Sequence, residues 1–116
     1  MNELNTNIFK NIPEQLPEEI FENLFKQDNI QIERIVSKGH STPVGQWYDQ
    51  SQDEWVLLLQ GQAIIVYETE QQTVSLSAGD YLLIPAGVLH RVEWTSPDMD
   101  TIWLTVHIHK SHGAKK

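Results

Sequence analysis

The stretch Gly79–His90, GDYLLIPAGVLH, carries the strongest indication of how this chain folds. Its opening Gly-Asp predicts a turn, the apolar residues 81–84 predict a short strand, and Pro-Ala-Gly at 85–87 predicts a second turn. His90 then stands at the start of the next predicted strand. Because the two turns before His90 constrain the backbone, its imidazole can be held in one orientation, as a metal ligand or an acid–base group requires.

Similar short segments, rich in β-branched and aromatic residues and separated by turns, run from residue 30 to residue 109. Turn signals every 8–12 residues or so, with little helix between them, are typical of an all-β sandwich or barrel. The predicted strands are 30–37, 45–49, 55–59, 63–68, 73–76, 81–84, 89–95 and 101–109. The sequence therefore predicts an all-β barrel.

A short helix is predicted ahead of these strands. Pro17 and the two glutamates after it suit the first turn of a helix, where the dipole favours negative charge. The apolar residues that follow recur at helical spacing and form one stripe that should pack on the barrel. They are Ile20, Phe21, Leu24 and Phe25. The polar residues 27–29 end the predicted helix.

The 116 residues carry a net charge of −8 and contain no cysteine. This length suits one domain, with an N-terminal arm and helix at 1–29, the barrel at 30–109 and a C-terminal tail at 110–116. An acidic chain is a poor ligand for a phosphate backbone. No apolar run approaches the roughly 18 residues of a transmembrane helix, and the N-terminus lacks the features of a signal peptide. We expect a cytoplasmic protein without nucleic-acid or membrane partners.

Two motifs resemble those of the cupins, a superfamily of small β-barrel proteins. The stretch Gly79–His90 matches the second cupin motif, G-x5-P-x-G-x2-H, at every position. The first motif is G-x5-H-x-H-x(3,4)-E-x6-G, and residues 54–61 match its E-x6-G half. The histidine pair is absent, and counting back four residues from Glu54 places Trp47 and Asp49 there. The resemblance implies a cupin-type jelly-roll β-barrel and, since cupins are commonly dimeric, a homodimer.

The resemblance also suggests a metal site. Asp49 at the second histidine position, together with Glu54 and His90, would supply two oxygen ligands and one nitrogen ligand. Such a set suits one divalent ion of Mn, Fe, Ni or Zn. His107 is the candidate catalytic acid or base. In the cupin topology its strand lies antiparallel to the strand that begins at Glu54, which brings the two side chains near each other.

The last predicted strand alternates between apolar residues and a set of polar and aromatic ones. If the second set lines the barrel, Trp103 and Thr105 belong to the substrate pocket beside His107. Trp47 and Trp94 are candidates for the same pocket, because large rings with one polar edge suit partly wet sites. Core packing is the alternative for each tryptophan, and solvent exposure is the alternative for His107.

Structural roles compete with the metal site. His90 can bond to a backbone carbonyl or pair with Glu54 without any metal. Asp49 can organise a turn through its side chain. Glu54 can instead form a salt bridge with Arg34 or Arg91.

Three functions therefore stay open, because a fold does not determine an activity. The first is a metal-dependent enzyme that acts on a small molecule in the cavity. The second is a metal-free small-molecule binding module or effector sensor, which the loss of the motif histidines and the aromatic lining favour. The third is a structural dimer whose site has decayed.

Overall fold

The computed structural model describes residues 6–109, whose regular structure is β apart from one 3-10 turn at Thr69–Gln71. The strands are β1 (Ile20–Gln27), β2 (Ile30–Ser37), β3 (Asp53–Gln60), β4 (Gln62–Tyr67), β5 (Thr73–Ser77), β6 (Tyr81–Ile84), β7 (His90–Thr95) and β8 (Thr101–Ile108). Every pairing between these strands is antiparallel. The predicted all-β class is confirmed, and most predicted strands lie within a residue or two of the observed ones.

The strands form two sheets that pack face to face. One has five strands in the order β1-β2-β8-β3-β6, and the other has three in the order β5-β4-β7. Among residues 6–109 no pairing between named strands joins the sheets into a ring, so the predicted jelly-roll barrel takes the form of two facing sheets that do not close. The predicted strand 45–49 is reduced to a single bridge, between Tyr48 and His90.

The prediction of an N-terminal helix is wrong, because residues 20–27 form β1, an edge strand paired with β2. A loop of two residues, Asp28 and Asn29, reverses the chain between them. A bulge between Asn23 and Phe25 breaks the alternation of β1 and produces the spacing that resembles a helix. An isolated helix of this length is marginal in water, whereas pairing satisfies the strand's backbone groups. Residues 6–109 contain no helix that could cross a membrane.

The apolar core lies between the sheets, where alternate residues of each strand point inward. Leu58 of β3, Ile65 of β4 and Ile84 of β6 are almost completely buried. The remaining buried members of the same cluster are Val56, Ala63, Leu76 and Trp103. This core sets the distance between the two sheets, and a cavity remains between them beside it.

Gly61 transfers the chain from the five-stranded to the three-stranded sheet. Its φ of +95° lies in the left-handed region that favours glycine. A Cβ at this position would lie 2.3 Å from Oγ1 of Thr101 and 2.6 Å from its Cα. The glycine that ends the E-x6-G half of the first motif is therefore required both for its backbone conformation and for close packing.

Candidate functional site

An open cavity of ≈100 Å³ lies between the sheets. Its polar wall comes from β2, β8 and β3, because Glu33 lies opposite Thr105 and His107 lies opposite Glu54 in the strand register. His90, the first residue of β7, completes this wall from the other sheet. Since strand pairing sets these positions, the side chains rest on rigid elements rather than on mobile loops.

Glu54 lies between two imidazoles. Its Oε1 is 3.7 Å from Nε2 of His90, and its Oε2 is 3.9 Å from Nε2 of His107. Glu33 adds a second carboxylate, with Oε1 3.1 Å from Nε2 of His107. Glu54, His90 and His107 are each less than 10% exposed. Because buried charges are costly unless paired, the four side chains form one cluster in which each carboxylate faces an imidazole.

The two imidazoles are oriented by different partners. Nδ1 of His90 lies 3.0 Å from the carbonyl oxygen of Val88, to which it donates, so its Nε2 faces the carboxylate between the rings. Nδ1 of His107 lies 3.4 Å from the amide nitrogen of Gln52, which can only donate. Nε2 of His107 therefore carries a proton and donates to Glu33. In their neutral forms His90 therefore offers a lone pair on its Nε2, and His107 offers an N–H on its Nε2.

The environment of His90 favours its charged form. Burial by itself lowers the pKa of this imidazole. The neighbouring Glu54 carboxylate and the bond to the Val88 carbonyl outweigh burial and raise the pKa above its ordinary value of 6.5. The protonated imidazole of His90 is thus stabilised by the carboxylate that it faces.

A second set of hydrogen bonds extends along the same sheet at the cavity. Nε1 of Trp103 donates to Oγ of Ser37 at 3.2 Å, and this hydroxyl donates to Oε2 of Glu19 at 2.5 Å. Glu19 precedes β1 and lines the cavity, as does Trp103. These bonds fix the indole ring and place a third carboxylate at the site.

Within the predicted metal set the structure brings together Glu54 and His90 but does not bring Asp49 to them, since Asp49 is exposed and lies outside the cavity lining. The backbone of Tyr48 exchanges two hydrogen bonds with that of His90, at 2.7 and 3.2 Å. This register turns Tyr48 and Gln50 into the cavity and leaves Trp47 and Asp49 outside it. The first motif allows either three or four residues between its second histidine and the glutamate. The three-residue spacing places Tyr48 and Gln50 at the two histidine positions, which agrees with this geometry.

Two of the four predicted pocket residues line the cavity. Trp103 and Thr105 do so, and both are buried. Trp47 instead packs under the guanidinium of Arg91, 5.6 Å from the ring centroid, and Trp94 is 39% exposed. His107, for which solvent exposure was the alternative, is buried in the cavity wall.

The arginines considered as partners of Glu54 are engaged elsewhere. Arg34 is buried and forms a salt bridge with Glu22, and Arg91 forms one with Glu93 at 3.3 Å. Among residues 6–109 Glu54 has two ion-pair partners, His90 and His107.

Sequence reasoning did not select Glu19, Glu33, Tyr48 or Gln50 as site residues. The three-residue spacing of the first motif could have indicated Tyr48 and Gln50. Glu33 stands two residues before Ile35 in a predicted strand and so shares its face, and it could have been noticed as an inward-facing carboxylate. Nothing local marked Glu19, because it reaches the cavity only through the pairing of β1 with β2.

The donor set does not suit the metal that the cupin motifs imply. At the two motif-histidine positions the cavity presents the phenol of Tyr48 and the neutral amide of Gln50. Burial and the negative charge of Glu19 raise the pKa of this phenol, which keeps its proton and makes it a poor ligand. Within residues 6–109 no three His, Cys, Asp or Glu side chains converge with the geometry of a metal site.

Comparisons with known proteins agree with this fold. The sequence profile of the family described as "Cupin domain" matches residues 34–107. A Ralstonia eutropha protein described as a "putative mannose-6-phosphate isomerase" has 40% sequence identity and a TM-score of 0.87, with 91% of this chain and 98% of that chain covered. No curated protein matches the sequence significantly.

More distant structures show the fold alone. A cupin superfamily protein from Desulfitobacterium hafniense has 22% identity and a TM-score of 0.70, with 85% of this chain and 84% of that chain covered. The polyketide cyclase RemF from Streptomyces resistomycificus has 20% identity and a TM-score of 0.68, with 81% of this chain and 67% of that chain covered. The two motif segments, Glu54–Gly61 and Gly79–His90, lie within the residues 34–107 that match the family, and the chain belongs to the cupin family.

Proposed function

We propose that this cupin is a small-molecule enzyme that moves a proton on its substrate by acid–base chemistry without a bound metal. The observation that carries the proposal is the position of Glu54, whose two carboxylate oxygens each face the Nε2 atom of a different buried histidine. A carboxylate beside two imidazoles can accept, hold and return a proton within one cavity. The description of the Ralstonia eutropha relative as an isomerase supports this class of reaction.

The reaction that fits these groups is an isomerisation at a carbon next to a carbonyl. Glu54 removes the C–H proton, and the Nε2 proton of His107 passes to the carbonyl oxygen, giving an enediol. Glu54 then returns its proton to the former carbonyl carbon, while the neighbouring hydroxyl gives a proton back to His107 and becomes the new carbonyl. All atoms and protons balance, and no oxidant or metal is consumed. Acid–base assistance of this kind contributes about 10²–10⁴-fold to a rate.

A divalent ion is the second candidate, for a specific reason. Nδ1 of His90 is bonded to a backbone carbonyl, which is how metal-binding histidines are commonly oriented, with Nε2 free toward the ion. In that case Glu54 and His90 would hold it, and the predicted ligand Asp49 would have to turn from the surface into the cavity to join them. A binding module without turnover is the remaining alternative for the same cavity.

Deuterium exchange separates these functions. Mannose and dihydroxyacetone are incubated with the protein in D2O, and loss of the proton next to the carbonyl is followed by NMR with and without EDTA. We expect exchange that EDTA does not affect and that falls at least about 100-fold in Glu54→Gln. Glu93→Gln, an exposed carboxylate paired with Arg91, is the matched control and should behave as the wild type.

Each other function has its own outcome in this experiment. Exchange that stops with EDTA and returns with Mn, Fe, Ni or Zn would favour the metal site. Ligand-induced thermal stabilisation without any exchange would favour the binding module.

A further inference from the structure

The cavity wall is rich in hydrogen-bond acceptors and in negative charge. Three carboxylates line it, those of Glu19, Glu33 and Glu54. No lysine or arginine is among the residues that line it in the described part of the chain. The buried guanidinium of Arg34 pairs with Glu22 and donates to the carbonyl oxygens of residues 8 and 10, away from the cavity.

Glu19 differs from the other two carboxylates. Glu33 and Glu54 each face an imidazole that can compensate their charge. Glu19 accepts a hydrogen bond from the neutral hydroxyl of Ser37 and has no ion-pair partner among residues 6–109. Its side of the cavity therefore carries an uncompensated negative charge.

Two polar atoms of the lining have no hydrogen-bond partner in the described part of the protein. They are Oγ1 of Thr105, whose side chain is 1% exposed, and Oε1 of Gln50. Buried polar atoms are rarely left unpaired, and such atoms in a cavity wall mark places where a ligand can complete the bonding. The amide oxygen of Gln50 can only accept, so it requires a donor from the ligand.

We propose that the cavity selects small molecules that are rich in O–H and N–H donors and carry no negative charge, and that Glu19 sets a preference for a protonated amine. This inference deepens the proposed function, on which it rests for the use of this cavity as the ligand site. A phosphate ester would meet three carboxylates and, among the lining residues at 6–109, no lysine or arginine. A cavity of about 150 Å³ holds a benzene molecule, so this smaller one suits a group of about four to six heavy atoms, with the remainder of a larger ligand at its open mouth.

The size of the preference follows from Coulomb's law. Opposite unit charges 4 Å apart attract by about 1 kcal/mol even at the dielectric constant of water, which is about a fivefold change in affinity. The amine should therefore bind at least about five times more tightly than its neutral hydroxyl analogue. A phosphate ester should be disfavoured by at least as much.

Three matched probes test this with the full chain. Glycerol is neutral, serinol (2-amino-1,3-propanediol) replaces its central hydroxyl by an ammonium group, and glycerol 3-phosphate adds an anion. Binding is measured by NMR through the indole N–H of Trp103, which lines the cavity. The Glu19→Gln variant removes the charge but keeps the shape, and Glu18→Gln, an exposed neighbour, is its control.

We expect saturable shifts with serinol, weaker ones with glycerol and none with glycerol 3-phosphate. The ratio of serinol to glycerol affinity should fall to about one in Glu19→Gln and stay unchanged in Glu18→Gln. Saturable binding of glycerol 3-phosphate, no response to serinol, or an unchanged ratio in Glu19→Gln would each overturn the inference. These results are independent of turnover, so they differ from a failure of the exchange reaction in Glu54→Gln.

Discussion

Replacing Thr105 by valine should make this protein more stable. Thr105 lies on β8 and is 1% exposed, and its hydroxyl has no hydrogen-bond partner among residues 6–109. Valine has the same branched shape with a methyl group in place of the hydroxyl. The substitution therefore removes a buried polar group without creating a void.

The expected gain follows from the cost of an unpaired hydroxyl. In proteins such burial costs about 1–3 kcal/mol, so Thr105→Val should raise the free energy of unfolding by about 1–2 kcal/mol. With a urea m-value of about 1.5 kcal/mol per M, the midpoint should rise by about 0.7–1.3 M. Equilibrium urea denaturation followed by tryptophan fluorescence measures this directly.

The same substitution at Thr101 is the matched control. Thr101 lies on the same strand and is completely buried, but its Oγ1 lies 3.3 Å from both the backbone nitrogen and the carbonyl oxygen of Gln62. Thr101→Val breaks both bonds and should lower the free energy of unfolding by about 1–2 kcal/mol. The two variants should therefore shift in opposite directions. If both lose stability by similar amounts, the hydroxyl of Thr105 is paired in solution and the reasoning fails.

Two further predictions concern the backbone and the acid–base cluster. Gly61→Ala and Gly79→Ala both place alanine at a φ of +95°, which costs about 1–2 kcal/mol of stability. Only at Gly61 does the new Cβ also clash with Thr101, which adds about 1–3 kcal/mol, so Gly61→Ala should lose more stability in thermal denaturation. Equal losses in the two variants would contradict the packing argument. The pKa of His90 is higher in the folded than in the unfolded protein, so its contribution to stability is fully present below pH 6.5 and is lost as the pH rises through the folded value. Glu54→Gln should therefore flatten the decline of the unfolding free energy above pH 6.5, and an unchanged slope in urea titrations at several pH values would show that another group causes it.

Much of the fold was predictable because its signals are local. The turns at Gly79 and at 85–87 and the apolar residues between them predicted β6 at its observed bounds. Strict alternation along 101–109 predicted which face of β8 carries Trp103, Thr105 and His107. Such patterns depend only on backbone preferences and on the two-residue period of a strand.

The N-terminal region was not predictable in the same way. The spacing of Phe21, Leu24 and Phe25 satisfies a helix, and also a strand with a bulge. Only the partner strand β2 distinguishes the two, because it supplies the hydrogen bonds that make an edge strand stable. Propensity is a weak prior where tertiary pairing competes with it.

The sequence by itself determined that this chain is a cupin, that His90 begins a strand after a tight turn, and that Glu54 heads a strand with an apolar inner face. The tertiary structure decided which side chains share the cavity. The register of Tyr48 on His90 directs Tyr48 and Gln50 inward instead of Asp49, because a shift of one residue moves every side chain of a strand to the other face. The meeting of Glu54 with His107 likewise depends on the pairing of two strands about fifty residues apart in the chain, a contact that no local pattern specifies.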